Sequence, residues 1–173
     1  MKHTQEKTLM TPCDSPLPEL EVPMINTMVA CLGIEHRKLN ELIMQLAGAA
    51  TRLANDPGAV TANERALQVR DEIQHALRSH LQIEDGLVSW GKERRAISGA
   101  LLDIVKNERL EMRKSMAALR ALSSGVDHEP QTTEDRSGFA QTLLALARTL
   151  DSHVERSDAE VLPSILRGLS RQA

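Results

Sequence analysis

Two stretches of this chain pair a histidine with a carboxylate at helical spacing: His80-Leu81-Gln82-Ile83-Glu84-Asp85 and His153-Val154-Glu155-Arg156-Ser157-Asp158. Each lies late in an amphipathic segment, at a point where the apolar stripe should continue. Glu84 follows His80 by one turn on the same face, and Asp158, five residues after His153, is close enough in angle to turn inward. Two further segments have similar interruptions, one at Glu35-His36 and one at Glu108 with Arg109 beside it. Imidazole nitrogens and carboxylate oxygens gathered in an apolar interior form a ligand set for a divalent or trivalent metal ion. An isolated buried carboxylate is too costly to keep ionised, so it protonates, finds a cation or stays wet. A metal would hold such carboxylates ionised and take neutral imidazoles as further ligands. The competing cation is Arg109, which could close a buried ion-pair network instead.

The elements that must carry these residues follow from periodicity and breakers. A first helix is expected from just after Pro23 to about Ala54, with Ile25, Met28, Val29, Leu32, Leu39, Leu42, Ile43, Leu46 and Leu53 as its stripe. Asn55-Asp56-Pro57-Gly58 ends it. A second is expected from Thr61 to Trp90, closed by Gly91, with His75 off the stripe and on the surface. A third should run from about Arg95 to Leu122 through Ile97, Leu101, Ile104, Val105, Met112, Met116 and Leu119. A fourth should run from about Ser137 to Leu169, with Pro163 kinking or breaking its last turns. Residues 1–23 hold four prolines and no periodicity and read as an N-terminal arm, from which Leu17, Leu20 and Val22 could dock on the bundle. The fold class is therefore all-α: an antiparallel up-down-up-down four-helix bundle over residues 24–169.

Height along such a bundle brings the polar slots together. His36 lies 13 residues after Pro23 and Glu108 lies 13 after Arg95, while His80 lies ten before Trp90 and His153 ten before Pro163. At 1.5 Å per residue all four sit about 15–20 Å from one end. A single histidine on an apolar face is ordinarily a core residue satisfied by a hydrogen bond. Here three of the four histidines in the predicted helices fall on the stripe and at one level. The candidate metal ligands are His36, His80, Glu84, Glu108, His153 and Asp158.

Composition agrees with the helical reading and narrows the function. The 173 residues are 41% hydrophobic, enough for one sizeable core, with one Trp, one Phe and no Tyr. The net charge is −3, from 21 basic and 24 acidic residues, which gives no general attraction for nucleic acid or an anionic membrane. The run Gly91-Lys92-Glu93-Arg94-Arg95 reads as a solvated helix connection. Two cysteines, Cys13 and Cys31, form no CxxC and no disulfide framework. The N-terminus lacks the apolar run of a signal peptide, and no stretch approaches the roughly 18 apolar residues of a membrane span. A soluble, cytoplasmic protein with reduced thiols is expected.

The motifs resemble the hemerythrin-like, or HHE cation-binding, domain family. The resemblance covers about residues 24–168 and rests on Glu35-His36-Arg37-Lys38-Leu39, His80-x-x-x-Glu84, His153-x-x-x-x-Asp158 and the closing Val161-Leu162-Pro163. It implies a four-helix bundle holding a non-haem iron site, often di-iron, with Glu84 and Asp158 at the positions of the bridging carboxylates. The third helix departs from the pattern. Lys106-Asn107-Glu108-Arg109-Leu110-Glu111-Met112-Arg113 has no histidine, and Glu108-Arg109 takes the place of the family's Glu-His. Three arrangements stay open: a di-metal site with Glu108 or Glu111 as an unusual ligand, a mononuclear site, and a metal-free core filled by Arg109. With Arg109 turned inward and paired with Glu84 or Asp158, the metal reading falls. With Arg109 turned outward and Glu108 facing His36, His80 and His153, it stands.

The resemblance implies iron, with manganese and zinc as alternatives, and a small partner such as O₂, NO or peroxide, or a part in handling iron under stress. The alternative is a metal-free degenerate bundle acting as a regulatory or interaction module. No Gly-rich phosphate loop and no nucleophile with an adjacent base indicates an enzyme. Exposed Ala and Met flanks of the stripes leave a protein partner or an oligomer open.

Overall fold

A computed structural model describes residues 21–56, 60–122 and 132–171 of the chain. These residues form helices α1 (Glu21–Asn55), α2 (Val60–Glu93), α3 (Gly99–Leu122) and α4 (Thr133–Arg156). A five-residue π turn (Ser157–Val161) then leads into α5 (Leu162–Ser170), which prolongs the line of α4. The described residues contain no strand, and no helix among them is long and apolar enough to cross a membrane. The expected arm lies almost wholly outside the described residues, with Leu17, Leu20 and Cys13. Its last residues instead open α1, where Pro23 sits in the first turn and its missing N–H costs nothing. Val22, half-buried, packs on the core from there.

Neighbouring helices run antiparallel. Trp90, near the end of α2, donates its indole N–H to Glu21 at the start of α1 (2.6 Å), while Arg65, early in α2, reaches Gln45, late in α1. Residues 114–118 of α3 flank a groove with residues 138–145 of α4, and residues 107–111 flank one with residues 148–152. α1 packs along α2 and α4, and α3 along α4, whereas α2 and α3 touch sparsely.

Two expected boundaries move for identifiable reasons. Gly91 does not close α2, which runs on to Glu93. A Cβ on Gly91 would stand 2.7 Å from Ile97 Cδ1 and Ile165 Cδ1, so the glycine is there for close approach rather than as a stop. The chain turns instead at Arg95, in the left-handed region at φ 53°, with the Ala96 N–H donating to the Gly91 carbonyl (2.7 Å). Nor is the 91–95 run simply solvated: Arg94 is half-buried and pairs with Glu21 at 2.9 Å. α4 begins four residues earlier than expected because Thr132 and Asp135 form a capping box, each side chain bonded to the other's backbone N–H.

The interior is two apolar clusters with a polar layer between them. The larger joins Leu39–Leu53 side chains of α1 to Ala66–Leu77, Met112–Leu119 and Phe139–Val154. The smaller joins Ile25 and Leu32 to Leu87, Trp90, Ile97, Leu101, Val105, Val161 and Ile165. Between these sets fall the buried polar residues His36, His80, Glu84, His153 and Ser157. Of the expected stripes, Ile104 is exposed and Met28 and Val29 half-buried; His75 is exposed, as expected.

Candidate metal centre

The layer is assembled by one turn of each long helix. α2 contributes His80 and, one turn on, Glu84, both fully buried. α1 contributes His36 and α4 His153, likewise buried. The His36 and His80 rings lie 5.0 Å apart between centroids, and the His80 and His153 rings meet edge to face at 5.2 Å. The Nε2 atoms of His80 and His153 are 3.0 Å apart, and His153 Nε2 is 3.4 Å from Glu84 Oε2. His80, Glu84 and His153 each offer a ligand atom within 4.8 Å of the others.

His36, His153 and Glu84 are held from behind, whereas the Nδ1 of His80 is buried without a partner. The His36 Nδ1–H donates to Asp158 Oδ1 at 2.6 Å, leaving Nε2 buried without a partner. Glu108 accepts from His153 Nδ1 at 3.2 Å and from Arg156 Nε at 2.5 Å. Ser157 donates its hydroxyl to Glu84 Oε1 at 3.2 Å. Asp158 and Glu108 thus stand behind histidines, on their Nδ1 side, rather than beside the His80, Glu84 and His153 ligand atoms. Asp158 is exposed to solvent.

The π turn explains how two adjacent residues serve two helices. The Leu162 N–H bonds to the Ser157 carbonyl, five residues back, so the turn is widened by one residue. That lets His153 and Ser157 face α2 while Asp158 reaches α1. Pro163 then sits at the start of α5, where its missing N–H is tolerated. Sequence periodicity had no means of showing this extra residue, and Ser157 and Arg156 went unnoticed as site residues for that reason.

Arg109 turns inward. Its Nη2 donates to Glu84 Oε2 at 2.7 Å and its Nη1 to Asp85, while its Nε is buried without a partner. Arg109 is therefore in the inward arrangement, the one set against a metal, and of the three histidines Glu108 faces His153 alone. Asp85, as the second partner of Arg109, had no signal beyond its place beside Glu84.

Charge follows from these contacts. Burial dominates at His80, reinforced by His153, His36 and Arg109; against the pull of Glu84 it lowers the pKa to about 3, so the ring is neutral. Burial also opposes charge on His153, but its bonds to Glu108 and Glu84 prevail and raise it to about 9. Burial works against an ionised Glu84 too, yet His153 and Arg109 bring it down to about 2. Glu108 is likewise lowered, by His153 and Arg156 against its own desolvation. Without metal the layer is therefore an imidazolium and two guanidinium groups set among carboxylates.

A family model, the hemerythrin HHE cation-binding domain, matches residues 29–165. The chain belongs to that family. No curated protein and no solved structure matches the chain.

The hemerythrin-like layer also fits a cation on its own geometry. Two ligand atoms each about 2.1 Å from a common ion lie about 3.0–3.4 Å apart, which are the His80–His153 and His153–Glu84 separations. Nitrogen and carboxylate donors of this kind suit iron, manganese or zinc. The unpartnered Nε2 of His36 is a further buried lone pair in the same layer. The family match and the His/Glu cluster together mark this layer as a metal-binding site.

Proposed function

We propose that this hemerythrin-like chain binds one iron ion through His80, His153 and Glu84, with His36 Nε2 as a fourth donor. The observation that carries the reading is the His80–His153–Glu84 spacing, 3.0 and 3.4 Å, in a buried layer between two apolar clusters. Ferrous iron in such a site supplies electron transfer to a small oxidant, and O₂, NO or peroxide is the class of partner that the closed bundle admits. The surrounding residues have separable tasks. Asp158 orients the His36 ring, Glu108 holds His153 by Nδ1, and Ser157 fixes one oxygen of Glu84. Arg109 already occupies a cationic seat on Glu84, which favours one ion over two. The cellular role we favour is oxidant or NO sensing, or iron handling under stress, in the cytoplasm. The test is iron, manganese and zinc content of protein purified without chelator, with melting temperature measured as Fe(II) is added anaerobically. We expect close to one iron per chain and a rise in melting temperature that is lost in His80→Ala. A chain that takes up no metal and gains no stability sinks the proposal.

A second reading is favoured by the 2.7 Å Arg109–Glu84 pair: a metal-free bundle serving as a regulatory or interaction module, its carboxylates neutralised by Arg109 and His153. The same measurement decides between them.

A further inference from the structure

The sparse packing of α2 on α3 leaves a groove of about 260 Å³ on the far side of Arg109 from the smaller cluster. Its floor is apolar: Leu77 and Leu81 from α2 face Met112 and Met116 from α3. Three arginines, Arg78, Arg113 and Arg120, line it, and among the described residues no acidic one does. Helix spacing gives them no relief. The residues three and four positions either side of Arg78 are Gln74, His75, Leu81 and Gln82, and those around Arg113 are Arg109, Leu110, Met116 and Ala117. Among the described residues Arg78 and Arg113 have no acidic partner, and Arg120 bonds only the Met116 carbonyl (3.3 Å). The nearby carboxylates are engaged elsewhere: Asp85 by Arg109, Glu111 by Lys114 and Glu72 by Gln68.

On a chain of net charge −3, such a concentration of unpaired guanidinium groups over an apolar floor is local and specific. Leu77, Met112 and Met116 are core residues that show only their edges in the groove, and Leu81 is half-buried; a lone anion would leave that apolar strip wet, and a neutral apolar molecule would leave the arginines uncompensated. We propose that this groove binds an amphipathic monoanion, an acyl chain ending in a carboxylate, with its tail on Leu77, Leu81, Met112 and Met116. The carboxylate takes the forked donors of the rim arginines, which match its two oxygens. The volume is just under the usual range for small-molecule sites, which points to a single medium-length chain, and unbranched Met side chains adapt to such a guest.

The test is the full chain carrying methyl-¹³C methionine, titrated with decanoate and, separately, with acetate and decanol. The Met112 and Met116 signals are assigned by Met112→Leu and Met116→Leu. Saturable shifts of those two methyls with decanoate are expected, with little response to acetate and weaker binding of decanol. The exposed double substitution Arg78→Gln/Arg113→Gln should keep full helicity by circular dichroism and weaken decanoate about tenfold or more. The proposal is overturned by shifts that do not saturate or that appear at other methionines. Equal responses to acetate or decanol, or unchanged affinity in the double variant, overturn it as well. No metal is needed for the measurement, so its outcome is independent of the iron centre.

Discussion

His80 and His153 present their Nε2 atoms to each other at 3.0 Å, deep between two apolar clusters. Two imidazoles so placed share a proton or share a metal ion. In the metal-free chain the proton belongs to His153, whose Nε2–H points toward His80 and Glu84 while its Nδ1–H is held by Glu108.

That arrangement fixes a pH profile for the metal-free chain. His153, raised to about 9, adds stability that is complete below about 6.5 and is lost as pH rises toward 9. Glu84, lowered to about 2, adds stability present above about 4.5 and lost as pH falls toward 2. His80, lowered to about 3, is neutral when folded, so the unfolded chain gains protons first and stability falls from 6.5 down to 3. All three signs place the maximum near pH 6.5. Urea unfolding of chelator-treated protein across pH 4–9 should show that peak; a plateau rising steadily to pH 9 would contradict it.

Arg109→Met removes a guanidinium from a fully buried Glu84 and leaves the carboxylate with Ser157 and His153 alone. Breaking one side of a buried pair costs about 3–5 kcal/mol, and a value toward the lower end is expected because Arg109 keeps some solvent contact. Saturating Fe(II) should recover most of the loss, because the ion takes over the neutralisation. Urea midpoints with and without metal give the answer, and an equal loss in both states would show that Glu84 does not meet the metal.

Asp158→Asn removes the charged acceptor that orients His36 but touches an exposed residue. Metal affinity is expected to fall about 10–100-fold, the usual effect of losing such a partner, with metal-free stability changed by no more than about 0.5 kcal/mol. Competition against a coloured chelator measures the first and thermal unfolding the second.

Gly168→Ala tests the packing of α5 with no bearing on metal. Helix propensity alone would stabilise by about 1 kcal/mol. The new Cβ would lie 2.5 Å from Ala96 Cβ, an atom fixed to its own backbone. Overpacking of that kind costs about 1–3 kcal/mol, so the net change should be a loss, with iron content per folded chain unaltered.

How far the sequence foretold this arrangement varies with the physics of each part. Four helices and the common level of His36, His80, Glu108 and His153 were legible because both follow from the helical rise and repeat. The boundaries were less so. Gly91 carries the usual mark of a helix end, and only the neighbouring Ile97 and Ile165 side chains show why it is a contact instead. Thr132 and Asp135 did carry a start signal, with Asp where Glu is more usual in a capping box. Asp158 was expected to turn inward, and its bond to His36 and the place of Ser157 depend on one residue added by the π turn, which leaves no trace in hydrophobic period. Arg109 could be read as a cation near the core, but its choice of Glu84 and Asp85 is a matter of tertiary geometry.

The polar layer also divides the molecule mechanically. With one apolar cluster on each side and a layer of hydrogen-bonded histidines and carboxylates between them, the metal-free bundle should open as two cooperative units rather than one. The end carrying Ile25, Leu87 and Ile165 is the smaller and should exchange its amide hydrogens first. An ion bound across α1, α2 and α4 would weld the two units, so loading the site would make unfolding a single event.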